Sequence, residues 1–155
     1  MAGAYKRILV PVDGSTTATA GLREALRLAA GLRARLRLVY VIDEFPVVQS
    51  EAYGFTGVDL LGALAKAGEA VLARARKLAA GRHVRADTAV ARSTMGRVGE
   101  VIVREAKKWR ADLIVMGTHG RRGLGHLVLG SDAETVIRAA RVPVLLIRAA
   151  GRRAK

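Results

Sequence analysis

The sequence has no cysteine, which removes disulfides, thiolate metal sites and thiol nucleophiles from consideration and fits a reducing compartment. Aromatic residues are scarce, at 4%, so a surface that stacks successive nucleic-acid bases is not expected. Only three prolines occur and no Pro- or Ser-rich linker divides the 155 residues, so a single domain over residues 1–155 is expected. No apolar run reaches the roughly 18 residues of a membrane span, and the opening MAGAYKRILVPV lacks the pattern of a cleaved leader. The expectation is a soluble, cytoplasmic protein with no membrane partner. No Gly-Lys pair exists anywhere, which excludes the G-x-x-x-x-G-K-[ST] phosphate loop, and no G-x-G-x-x-G follows the first apolar run. The three histidines, His83, His119 and His126, have no metal-ligand spacing, and no nucleophile-base-acid arrangement stands out. Fast catalysis therefore has no visible machinery, and an enzyme is not expected.

What is present is a strong basic excess, a net charge of +14, carried mostly by arginine. In REALRLAAGLRARLR the charges alternate with a helical apolar stripe, so solvated helix faces account for most of them. A nucleic-acid role would require the arginines to gather on one face, and nucleic acid is not the expected partner.

Apolar periodicity alternates between two types along the chain. Arg7 to Val12 (RILVPV), Leu36 to Ile42 (LRLVYVI), Asp112 to Met116 (DLIVM) and Val144 to Ile147 read as buried strands, and Val84 to Ala91 as a half-buried edge strand. Helices are expected over Thr16 to Ala30, with Gly31 as C-terminal cap, over Val58 to Ala80, over a segment with Val98, Val101, Ile102 and Ala106 that ends near Trp109, and over Ser131 to Ala140. Phe45 to Gly57 shows no period and reads as loop. Five strands alternating with four helices make an α/β, doubly wound parallel sheet covered on both faces, whose ligands sit beyond the carboxyl ends of the strands.

After the fourth strand comes Gly117-Thr118-His119-Gly120-Arg121-Arg122-Gly123-Leu124-Gly125-His126-Leu127-Val128-Leu129-Gly130-Ser131. Glycines admit backbone N–H groups close to an anion, and a helix starting at Ser131 would turn its free N–H groups and dipole toward phosphate. The same residues have a purely structural reading, with Ser131 and Glu134 as a capping box. Asp13, in the turn Asp13-Gly14-Ser15, either meets a ligand or caps the following helix.

This loop, with the opening ILVPVDGS, the strand DLIVMG and the closing VPVLLIR, resembles the signature of universal stress proteins over essentially the whole chain. The resemblance implies strand order 3-2-1-4-5, as in adenine nucleotide alpha hydrolase-like folds, and ATP as the ligand, accompanied by Mg2+ or Mn2+. It places the backbone of Val12 and Val41 around the adenine, Asp13 at the ribose or a phosphate-bound metal, and Gly117, Gly120, Gly130 and Ser131 at the phosphates. Pro11, Met116, Arg121 and Asp132 complete the implied nucleotide-binding set. Asp132 departs from the family pattern, which has a small or apolar residue there, and its carboxylate would repel a triphosphate. The implied role is a dimeric, nucleotide-dependent stress-response or signalling protein with slow ATP hydrolysis at most. The alternative is an interaction module of the same fold that no longer binds nucleotide. Val142 to Ile147, apolar on both faces at a sheet edge, is the expected homodimer contact, and the identity of any further protein partner is not legible.

Overall fold

The structure is a computed structural model and describes residues 5–53, 60–119 and 129–149. Five parallel strands, β1 (Arg7–Pro11), β2 (Arg35–Asp43), β3 (Ala86–Ser93), β4 (Leu113–Gly117) and β5 (Val144–Ile147), form one sheet in the order β3-β2-β1-β4-β5. The helices are α1 (Thr16–Leu32), α2 (Phe45–Ala52), α3 (Leu60–Ala80), α4 (Val98–Trp109) and α5 (Ser131–Ala139).

Alternation along the central strands divides the core into two layers. Ile8 and Val10 of β1 and Leu36 and Leu38 of β2 pack with Leu22, Leu26 and Leu72 of α1 and α3. Leu9 and Val39 point the other way, toward Ile102, Trp109 and Val136 of α4 and α5. Because both faces are covered, Ile8, Leu9 and Val10 of β1 and all of β4 are apolar or glycine and buried. Strand order reverses between β1 and β4, and the crevice beyond their carboxyl ends is where such a sheet receives a ligand.

Two close approaches fix α1 on the end of β4. A Cβ on Gly21 would stand 3.1 Å from the Gly117 amide nitrogen, and a Cβ on Gly117 would stand 2.6 Å from the Thr17 carbonyl carbon. Ser15 starts α1 by accepting from the Ala18 N–H at 3.1 Å.

Three local expectations are corrected. Phe45–Ala52, read as loop, is α2. Two turns are too short for a periodic stripe, and Val47 is its single buried residue. Its start was signalled all the same, because Pro46 occupies the first turn and Asp43 Oδ1 accepts from the Phe45 N–H at 3.2 Å. The cap of α1 is Arg33 in the left-handed region (φ 55°), and Gly31 lies inside the helix. The edge strand β3 runs two residues later than the alternation suggested, to Ser93, which is buried and anchors the turn into α4 by accepting from the Arg97 N–H at 2.9 Å.

Candidate functional site

A cavity of about 650 Å3 opens at the carboxyl ends of the strands, bounded by the ends of β1, β2 and β4 and the first turn of α5. Its wall is built by local rules. Gly14 takes φ +82°, a conformation that glycine reaches without penalty, and this turns Asp13 back so that its Oδ1 accepts from the Ser15 N–H at 2.8 Å. The Asp13 carboxylate therefore shapes the turn, and the residue also lines the cavity. It is Ser15 that caps α1.

On the far side, the chain leaves β4 through Gly117, Thr118 and His119 and returns at Leu129 and Gly130. The Gly130 N–H donates to the Thr118 carbonyl at 2.9 Å, so departure and return are clamped together. Gly130 has φ −65°, which any residue accepts; glycine is favoured by closeness, since its Cβ would stand 3.1 Å from the Thr118 carbonyl oxygen. Gly130 is also the N-cap of α5, and no side chain caps this helix. The Ser131–Glu134 capping box is thus not formed: Glu134 pairs with Arg138 at 2.7 Å. The first turn of α5 is left with amide donors that its own helix cannot satisfy, at the positive end of its dipole and on the cavity wall.

Pro11, Val12, Asp13, Val41, Met116, Gly117, Gly130, Ser131 and Asp132 all line this cavity. Gly120 and Arg121 lie outside the described residues. Val12, Val41 and Met116 supply an apolar side, and the carboxylates of Asp13, Asp43, Asp132 and Glu134 face or rim the same space. Among the described residues no lysine or arginine lines it. Nor do the described residues contain a group of three His, Asp or Glu side chains able to hold a metal ion. Asp13 alone could contribute to a divalent cation, and phosphate oxygens and water would have to supply the other ligands.

Sequence reasoning missed several lining residues. Tyr40, buried at the end of β2, presses its ring on Gly68 of α3, where a Cβ would be 2.6 Å from the ring carbon Cδ1. Asp43 and Pro46 enter with the unforeseen helix α2, and Gly96 (φ +67°) lets Phe45 pack over it at the rim. His119 adds a fixed polar group: its Nδ1 lies 3.0 Å from Thr118 Oγ1, its carbonyl accepts from the Thr17 hydroxyl, and its Nε2 is buried without a partner among the described residues. The signal for His119 was available, since it stands inside the glycine loop, but a lone histidine is ambiguous in sequence.

No helix among the described residues is long and apolar enough to cross a membrane. Residues 4–148 match the Universal stress protein family. A universal stress protein of Methanocaldococcus jannaschii is 37% identical over 145 residues, covering 93% of this chain and 82% of its own. The solved structure of a universal stress protein family member from Burkholderia pseudomallei is 34% identical, with a TM-score of 0.72 over 93% of this chain and 96% of that one. A universal stress protein from Archaeoglobus fulgidus, solved in complex with dAMP, shares the fold at a TM-score of 0.64 and 23% identity, covering 93% of this chain and 98% of that one. On the match to nearly its whole length, the chain belongs to the universal stress protein family.

Proposed function

We propose that this chain binds an adenine nucleotide, ATP, in the cavity beyond β1 and β4 and acts as a nucleotide-dependent stress-response or signalling protein. The observation that carries the reading is the convergence of two closely packed glycines, Gly117 and Gly130, with the uncapped amino end of α5 on one wall of a 650 Å3 cavity whose opposite side is apolar. The adenine would lie against Val12, Val41 and Met116, the ribose by Asp13, and the phosphates along Gly117, Gly130 and Ser131. Gly120 and Arg121 belong to the same proposed loop. A relative of this fold holds dAMP, which supports the choice of base.

With Asp13, Asp43 and Asp132 among the lining residues, ATP would enter with Mg2+ or Mn2+ bound to its phosphates and to Asp13, which offsets repulsion between carboxylate and phosphate. A bound divalent ion would screen the carboxylates and orient the phosphates. Hydrolysis would be slow at most and the bound state long-lived. The two nucleotide states would then differ in the order of the surrounding loops and in the partners they admit. The protein would work in the cytoplasm. It would form a homodimer through Val142 to Ile147, since β5 pairs with β4 on one side and leaves its other edge open.

The second reading, an interaction module without nucleotide, is favoured by one observation: Asp132 stands in the first turn of α5, where a phosphate would bind. Calorimetric titration with Mg-ATP, on protein first denatured to identify any nucleotide it carries and then refolded, separates the two. Saturable binding that disappears in Asp13→Ala and Gly130→Val supports the nucleotide site. Absence of binding at millimolar Mg-ATP, restored by Asp132→Val, would make the second reading the better one. Light scattering at micromolar concentration tests the dimer.

A further inference from the structure

All five strands run in one direction, so the four connections that lead from helix to strand lie at the end of the sheet opposite the cavity. That end is basic. Lys6, Arg33, Arg82, Arg85, Arg110 and Arg141 are exposed there, and none has an ion-pair partner among the described residues. The carboxylates at this end are engaged: Asp112 accepts from the N–H groups of Lys6 and Arg7, and Asp87 lies 3.1 Å from Arg35 and 4.0 Å from Arg37. Asp13, Asp43 and Asp132, which line the cavity, stand at the other end of the sheet.

Helix dipoles explain part of this. Cations in the last turn, such as Lys77, Lys107 and Arg138, complement the carboxyl ends of their helices. Arg33 and Arg110 are themselves the C-caps of α1 and α4, where the dipole favours a cation as well. Among the described residues three non-glycine positions have positive φ, Arg33 (55°), His83 (54°) and Arg110 (57°), and all three stand in these connections. Glycine fits such positions best, yet basic side chains occupy each of them. Arg33 and Arg110 thus add exposed cations to this end at backbone positions that favour glycine.

We infer that this pole binds the phosphate backbone of double-stranded nucleic acid without reading its sequence. The span matches: five strands at about 4.8 Å put the outer strands roughly 19 Å apart, a length along which a DNA duplex carries about eleven charges. Arginine, which dominates here, grips phosphate oxygens with paired N–H groups. Single strands are disfavoured because the aromatic residues described at this end are held in the core: Tyr5 is half-buried and Trp109 buried. Trp109, beneath this end, is buried, with the guanidiniums of Arg7 and Arg37 at 4.6 and 5.3 Å from its ring centre. A lipid surface is disfavoured because the exposed aromatic side chains among the described residues, Phe45 and Tyr53, stand in α2 and at its C-cap, at the cavity end.

The test is fluorescence anisotropy of labelled random-sequence duplexes, DNA and RNA in separate arms, as salt is raised, with single strands and phosphatidylserine vesicles alongside. With roughly five phosphate contacts, affinity should fall about 500-fold between about 50 and 200 mM salt, a log–log slope near −4.5. The variant Arg33→Gly/Arg85→Ser/Arg110→Gly should bind at least about tenfold more weakly, its slope flattened by about 2.7. Its two glycines suit the backbone, so it should fold, which far-ultraviolet circular dichroism verifies. A control, Arg23→Gln/Arg97→Gln/Arg148→Gln, removes equal charge elsewhere and should bind nearly as the parent does. Binding of either duplex in this pattern supports the inference, and the arm that binds more tightly identifies the preferred helix. No duplex binding at low salt, equal loss in both triple variants, or tighter binding of single strands or vesicles would overturn it.

Discussion

The backbone N–H of Gly130 lies 2.9 Å from the carbonyl oxygen of Thr118, which ties the carboxyl end of β4 to the amino end of α5 and so holds both ends of the glycine loop against one cavity wall. This clamp sets where an anion could approach: a side chain at Gly130 would press on the Thr118 carbonyl, 3.1 Å from its Cβ. Gly130→Ala, allowed by its φ of −65°, should unfold within about 1 kcal/mol of the parent yet lose nucleotide affinity by roughly tenfold or more. Urea unfolding and calorimetric titration on the same sample check both halves.

Gly117→Ala should behave differently, because its Cβ would meet the Thr17 backbone at 2.6 Å rather than an adjustable loop. Relief requires α1 to move off β4, and overpacking of this kind costs about 1–3 kcal/mol. The expected outcome is a lower urea midpoint with an unchanged slope, whether or not nucleotide is present.

Gly68→Ala would thrust a methyl group to 2.6 Å from the Tyr40 ring. A destabilisation of about 1–3 kcal/mol is expected, and Tyr40→Leu in the same chain should recover part of it because the obstructing ring is gone. A double-mutant cycle in which the two changes simply add would contradict this packing.

Arg33→Gly and Arg110→Gly should each stabilise the chain by up to about 1 kcal/mol, since both sites hold the left-handed conformation at φ 55° and 57°. For a domain of this size that is a rise in Tm of about 2–4 °C per substitution. A fall in Tm would mean that the arginine side chains contribute more to the folded state than their backbone conformation costs.

The parallel sheet was legible because its central strands are buried on both faces, so that ILVPV and LIVM read as unbroken apolar runs next to turn residues. The cavity wall was legible for a related reason: residues just past β1, β2 and β4 must surround the crevice once the order of strands is known. What escaped were features whose cause is tertiary. α2 buries Val47 alone and leaves no stripe to detect. Arg33 takes the cap that Gly31 was expected to fill because Ala34 must turn inward one residue later, where it is buried against the core. Ser131 and Glu134 have capping-box spacing, yet the clamp from Gly130 to Thr118 makes Gly130 the cap and leaves Glu134 to pair with Arg138.

The most direct measurement is to purify the protein without added nucleotide, denature it, and identify the released small molecule by chromatography and mass spectrometry, with Gly130→Val prepared in parallel. The account predicts ATP at close to one equivalent from the parent protein and little from the variant. A parent protein that releases no nucleotide, and takes up none from millimolar Mg-ATP, would contradict it.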